Sequence, residues 1–467
     1  MTDMRSVLMM ALLCATLSSF SNVRLPRIIS SNMVLQQQSK VKIWGAADPN
    51  EKISITTSWN NKAYEALTTN NARWEVLIET PAAGGPFTIT LKGKNTIVLN
   101  NILIGEVWVC SGQSNMEMRL GSLQDIKEES PVAYNPNIRF FDIPKTTSLH
   151  PQDNCEGEWT ICDSNTIKSF SAVGYYFGKN LNKNLNVPIG LVDASWGGTA
   201  AEVWTPDSLI YADPVLKQAA SKISIPGGRP YIPGYAYNGM IAPIVNYDIA
   251  GAIWYQGENN TGQAKTYAKL LPVMIDSWRN AWKKEFPFYL VQIAPYKYGI
   301  KNSGALLREA QAQVAEHHPH TGMVVITDLV ADTNDVHPTN KKDVGLRLAN
   351  LALAETYHKA DIVYKSPSFK SMSVKGNKAT IVLDNAEKGL VIKGKTATEF
   401  VIAGEDRVFY PGDVTIKNNT LIVSSKEVKA PVAVRFGFRN TSVGNVFGKE
   451  GLPLAPFRTD TWEVEMK

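Results

Sequence analysis

The sequence predicts an α/β protein, a three-layer α/β/α sandwich around a parallel sheet, flanked by N- and C-terminal β-sandwich segments. Three observations lead there. The hydrophobic period changes twice along the 467 residues, and the middle stretch alternates strand-like runs with amphipathic helical ones. Those middle strands are also near-continuously apolar, as strands covered on both faces must be.

Taken in order, residues 1–21 are expected to be a secretory signal. Arg5 sits in a short basic region, an apolar run covers 7–17, and small residues around Ser19-Phe20-Ser21 offer a cleavage site near Ser21. The run is too short for a permanent membrane span, and Cys14 follows Leu12-Leu13, not the small residue a lipoprotein site requires. The expected location is periplasmic or secreted, with no membrane attachment after cleavage. Residues 22–102 form an expected β-sandwich domain. Runs such as Val41-Lys42-Ile43-Trp44 and Phe87-Thr88-Ile89-Thr90-Leu91 are separated by Asp-Pro-Asn and Gly-Gly-Pro turns.

Residues 103–360 are the expected α/β layer. Between 266 and 282 apolar side chains fall at 267, 270, 271, 274, 275 and 278, a helical stripe, and the strand-like 288–294 follows. Met323-Val324-Val325-Ile326 has the unbroken apolar character of a buried parallel strand. From 361 to 467 short strands return, among them Thr380-Ile381-Val382-Leu383 and Val432-Ala433-Val434-Arg435-Phe436. Periodicity leaves open whether the two β segments are separate sandwiches or one composite unit.

Charge excludes one class of function. The 48 basic and 43 acidic residues give a formal +5 spread along the chain without a basic run, which argues against nucleic-acid binding. Cys110 lies in an apolar run and reads as a small core residue, whereas Cys155 and Cys162, in a polar stretch, are candidates for a disulfide. Their spacing matches no zinc pattern. Two tempting motifs fail on context. Gly389-Leu390-Val391-Ile392-Lys393-Gly394-Lys395-Thr396 has Walker A spacing, but its interior is a strand-like apolar run with more strand after it, where a phosphate loop needs a helix. His317-His318-Pro319-His320 resembles a metal cluster, yet it ends a helix expected from about Leu306, where imidazoles meet the negative end of the helix dipole.

The chemistry points elsewhere. The apolar run Gly105-Glu106-Val107-Trp108-Val109-Cys110 opens into Ser111-Gly112-Gln113-Ser114-Asn115-Met116, and about 220 residues later comes Asn334-Asp335-Val336-His337-Pro338. Serine is a weak nucleophile that needs a base within hydrogen-bond reach, usually a histidine, so Ser114 and His337 are the candidate pair. A Gly-Gln-Ser-Asn turn alone is common loop chemistry. Two further strand ends add to it: 190–195 leads to Trp196-Gly197-Gly198-Thr199, where Gly198 is a candidate oxyanion donor, and 249–255 leads to Gln256-Gly257-Glu258-Asn259-Asn260.

In these motifs the chain resembles the sialate O-acetylesterase family of the SGNH hydrolases. Gly112 to Met116, Trp196 to Thr199, Asn238-Gly239-Met240-Ile241-Ala242-Pro243, Trp254 to Glu258, Leu307-Arg308-Glu309-Ala310-Gln311 and Asp335 to Pro338 occur in the family's order. The resemblance implies an SGNH-type fold and a serine esterase with Ser114 as nucleophile and His337 as base. Simple SGNH hydrolases carry an aspartate three residues before the histidine; here that position is Asn334. Asp335 ranks first as the group that orients the ring, with Asp328, Asp332 or a main-chain carbonyl as alternatives.

By the same resemblance the Ser114 and Gly198 N–H groups form the oxyanion hole with a side-chain amide, from Gln256 or Asn259. Arg308 would pair with a sialic acid carboxylate or form a salt bridge between helix and sheet. Trp196, with Trp204, Tyr235, Tyr237 and Tyr255, would stack on a sugar or fill the core. The implied activity is removal of acetyl from O-acetylated sialic acid, with acetylated xylan or another acetylated glycan as alternative substrate, and no metal or organic cofactor. An inactive glycan-binding protein is the reading from another class; retention of both Ser114 and His337 argues against it.

Overall fold

The computed structural model describes residues 22–223, 227–417 and 419–466, so the expected signal segment and its cleavage site near Ser21 lie outside the described residues. Its centre is a mostly parallel sheet. From one edge to the other the strands are Thr321–Val324, Phe288–Val291, Gly251–Tyr255, Thr96–Gly112, Ile189–Ser195, Asn135–Asp142 and Trp159–Cys162, with only the last pair antiparallel. Thr96–Gly112 is first in the chain but lies mid-sheet, and the chain adds strands on one side of it before crossing to the other. Such a reversal of strand order leaves a crevice at the carboxyl ends of the strands beside it.

The middle of the sheet is apolar on both faces because alternate side chains of each strand serve different cores. Val107 and Val109 join Trp254 and Leu290 in a cluster with Leu270, Met274 and Leu307 of the helices Ala264–Trp282 and Ser303–His317. Trp108 and Cys110 join Leu191, Ile253 and Tyr255 in a second cluster with Val173, Phe177, Leu348 and Ala352 of the helices Ala172–Leu185 and Lys341–Glu355. The mixed α/β class is as expected from the sequence, with antiparallel sheets added toward the C-terminus.

The N-terminal strands are not set apart from this centre. Thr96–Gly112 pairs antiparallel with Gly84–Lys92 near its start and parallel with Ile189–Ser195 and Gly251–Tyr255 near its end. The expected border between 102 and 103 therefore falls inside one strand. Ile55, Ile89 and Ile104 belong to the same apolar cluster as Val107 and Trp254.

Beyond residue 361, two four-stranded antiparallel sheets enclose a separate cluster, in which Ile381, Leu421 and Val423 of one meet Ile402, Val434 and Phe436 of the other. Leu390–Ile392, inside the Walker-like run, is a strand paired antiparallel with Val446–Gly448. His317 ends its helix, and His318 Nε2 lies 3.0 Å from Asp276 Oδ1. The expectation of a disulfide fails: Cys155 and Cys162 are free thiols, with Cys162 inside the second helix-covered cluster and Cys155 against the first. Among the described residues no helix is long and apolar enough to cross a membrane.

Candidate active site

Three neighbouring strands deliver the candidate groups to one end of the sheet. Gly112 closes the central strand at φ +136°, and a Cβ there would sit 2.2 Å from the Tyr255 carbonyl oxygen, so only glycine lets these two strand ends approach so closely. Ser114 then opens the short helix Ser114–Glu117. On the adjacent strand end, the Trp196 N–H donates to the Gly112 carbonyl at 3.0 Å and the Gly197 N–H donates to the Glu117 carboxylate, which fastens the glycine pair beside the serine turn. Together these groups line a cleft of about 660 Å³ that includes Ser114, Trp196, Gly198, Asn259 and His337.

Ser114 Oγ and His337 Nε2 are 2.8 Å apart, although the residues are separated by 223 positions in the chain. A nitrogen that accepts the serine proton must be unprotonated, so the competent tautomer carries its proton on Nδ1. Burial and the nearby Lys341 ammonium hold the His337 pKa below its ordinary 6.5, with Asp335 acting the other way. Both main causes favour the neutral base.

The carboxylates weighed for the third role separate clearly. Asp335 Oδ1 lies 3.9 Å from His337 Nδ1, beyond a hydrogen bond, and accepts instead from the His337 main-chain N–H at 2.8 Å. Asp328 is held bidentately by Arg347 at 2.7 Å through both oxygens, and Asp332 accepts from the Asn334 N–H and side-chain amide. Of the three, Asp335 is the one placed against the imidazole.

The two candidate amides also part company. Gln256 is fully buried; its NH₂ donates to the Thr199 carbonyl at 3.1 Å and to Asn260 Oδ1 at 2.7 Å, and its carbonyl accepts from the Tyr267 hydroxyl at 2.8 Å. It braces the loops from behind and does not line the cleft. Asn259 lines the cleft and is solvent-exposed. Gly198, at φ +74°, lines the same cleft.

Arg308 is not where the resemblance put it. Its guanidinium is wholly buried, donates to the main-chain carbonyls of Gly437, Arg439 and Asn440, and is pushed down to about 10 by that burial. It makes neither the substrate contact nor the salt bridge expected of it; it satisfies backbone acceptors of the C-terminal segment. Trp196 lines the cleft, whereas Trp204, Tyr237 and Tyr255 are buried and Tyr235 is not among the lining residues; Tyr296 and Tyr298 take that place.

Behind the serine lies a buried network that the motifs alone do not display. Asn115 donates to Glu258 Oε1 at 2.6 Å and to the Val336 carbonyl at 3.0 Å, and its own carbonyl accepts from Lys341 Nζ. Asn115 and Lys341 are fully buried and Glu258 nearly so. Burial raises the Glu258 pKa and lowers that of Lys341 to about 7, against their mutual attraction. The only sequence signal was placement, since Asn115 follows Ser114 and Lys341 begins the helix four residues after His337.

Comparison with known proteins agrees with this geometry. Residues 104–354 match the family described as carbohydrate esterase, sialic acid-specific acetylesterase. The chain is 28% identical over 410 residues to the sialate O-acetylesterase of Pongo abelii, covering 80% of this chain and 78% of that protein. It is 27% identical over 410 residues to the sialate O-acetylesterase of Homo sapiens, with the same shares covered. A crystal structure of a carbohydrate acetylesterase from Xanthomonas citri superposes with a TM-score of 0.87 at 34% identity, covering 94% of this chain and 100% of that one. The protein is thus a carboxylic ester hydrolase, and the chain belongs to the sialic acid-specific acetylesterase family of carbohydrate esterases.

Proposed function

We propose that the protein removes O-acetyl groups from sialic acid through an acetyl-enzyme on Ser114. The observation that carries this reading is the 2.8 Å contact between Ser114 Oγ and His337 Nε2 on the wall of an open cleft. Ser114 Oγ bonds to the acetyl carbonyl carbon while its proton passes to His337 Nε2. The negative oxygen of the tetrahedral intermediate is received by the Ser114 and Gly198 N–H groups and the Asn259 amide, a set in which one donor is typically worth about 10²- to 10³-fold in rate. The bond to the sugar oxygen then breaks, and His337 returns its proton to that oxygen. Water, deprotonated by the same imidazole, attacks the acetyl carbonyl; acetate leaves and Ser114 recovers its proton.

In this scheme Asp335 acts at a distance. It fixes the main chain at His337 and offsets the imidazolium charge without bonding to the ring. The two helix-bearing clusters on either side of the parallel sheet support reading the centre as an SGNH-type α/β/α layer, with residues 22–102 joined to it through the shared strand and residues 361–467 as a separate β module. We also place the mature enzyme in the periplasm or outside the cell, on the strength of the leader-like residues 1–21; cell fractionation locates it.

Acetate release from O-acetylated sialic acid, measured beside acetylated xylan with wild type and Ser114→Ala, tests the reading. Expected are a preference for the sialate and a fall of at least about 10³-fold in the variant. Preference for xylan overturns the substrate, and unimpaired hydrolysis by Ser114→Ala overturns the mechanism.

A further inference from the structure

The sialate reading calls for a partner to the sugar's carboxylate, and Arg308, held under the C-terminal segment, is not available for it. Three long-chain cations line the cleft, and two of them are already paired. Arg119 contacts Asp142 at 3.0 Å and Asp193 at 3.2 Å, and Lys145 is bound to Glu117. The third, Arg229, is exposed and, among the described residues, enters no hydrogen bond or ion pair.

Its placement is specific. A Cβ added at Gly198 would lie 2.7 Å from Arg229 Nη1 and 2.9 Å from Cζ, so the guanidinium rests over Gly198, next in the chain to Gly197, where an added Cβ would lie 3.2 Å from Ser114 Cβ. Gly227 and Gly228, at φ +86° and +72°, carry the loop through open space up to Arg229, and Pro230, buried, anchors it on the far side. A guanidinium presents parallel N–H groups that match a carboxylate in two-point contact, a geometry an ammonium lacks. Trp196, Tyr296 and Tyr298 supply apolar surface along the same cleft.

We propose that Arg229 is the carboxylate subsite of the enzyme: it holds the acid group of an acetylated sugar acid while the acetyl carbonyl lies against Ser114. The inference rests on the sialate reading and deepens it. An unpaired cation at the glycine wall gains nothing from a neutral acetylated sugar but forms a charge-assisted pair with an acidic one.

The test uses the purified full-length protein with two substrates, O-acetylated sialic acid and its methyl ester, in which the carboxylate is masked. The readout is the ratio of kcat/KM for the acid to that for the ester, which is independent of the fraction of active enzyme in each preparation. Wild type is expected to favour the acid by about tenfold or more, chiefly through KM. Arg229→Gln should bring the ratio to near one, and Arg229→Lys should recover part of it. Equal use of acid and ester by wild type, or a preference that survives Arg229→Gln, overturns the carboxylate subsite and leaves the sialate reading standing. If neither form releases acetate while acetylated xylan does, the sialate reading falls and the subsite with it.

Discussion

The two β regions that flank the central sheet are attached to it in opposite ways. At the N-terminal side, one strand serves both units and one apolar cluster runs through both, from Ile55 and Ile89 to Val107 and Trp254. At the C-terminal side, the two sheets enclose their own core, and much of what holds them to the centre is polar. Arg308 donates to the carbonyls of Gly437, Arg439 and Asn440, Asn440 in turn accepts from Gly304 and donates to Ile300, and Arg458 grips Glu309 bidentately at 2.6 and 2.9 Å. Among the described residues of that region, only Phe438 and Val464 are buried in the shared cluster. Apolar continuity couples stability without regard to direction, whereas buried hydrogen bonds fix a geometry and fail one partner at a time.

This contrast is open to breakage at both joints. Ile89→Ala removes a fully buried side chain from the N-terminal part of the shared cluster and should cost about 2–5 kcal/mol. Calorimetry is expected to show the whole N-terminal and central body melting together at a lower temperature, with esterase activity lost along the same curve. Persistence of activity after the N-terminal strands have melted would mean that the shared strand does not couple them. Arg308→Met should have a smaller effect, about 1–3 kcal/mol, because it strands buried carbonyls without opening the central core. Its expected signature is a separate, earlier transition for the C-terminal sheets. A single transition shifted as a block would show instead that the two units share more than these contacts.

The residues show why some of this was legible in the sequence and some was not. Ser114 was legible because it follows a glycine turn at the end of an apolar run, and His337 because the chemistry demands that a serine nucleophile have a base. The run before Ser114 was legible as a strand, but its partners were not: an apolar strand looks the same whether it stays in one sheet or passes between two, so a border at 102 appeared where the chain has none. Gln256 and Arg308 failed for a related reason. Residue type announces what a side chain can bond, while the carbonyls that engage it come from Thr199 in one case and residues 437–440 in the other, far away in sequence. Lys341 drew no notice in the sequence, since nothing in its residue type shows that it is fully buried and bonded to Asn115, 226 residues earlier.

That buried lysine sharpens the comparison further, because it belongs to neither joint. The helix Lys341–Glu355 packs in the second central cluster and its first residue meets Asn115 behind the serine, so the pH dependence it sets is a property of the centre. The sign follows from the neighbours. With its pKa at about 7, Lys341 is charged through the acidic range, and its charge disfavours a proton on His337. The midpoint of the acid limb of wild-type kcat/KM should therefore lie below 6.5, the ordinary imidazole value. Lys341→Met removes the repelling cation, which favours imidazolium, so the acid limb should move up by about half to one pH unit. The plateau itself should fall about tenfold, since Asn115 loses the donor that helps hold it against Val336, the residue before His337. Ile89→Ala and Arg308→Met should leave that limb in place. A limb that stays put in Lys341→Met, measured as kcat/KM against pH on a neutral ester, would show that the network supports the fold behind the serine without reaching the base.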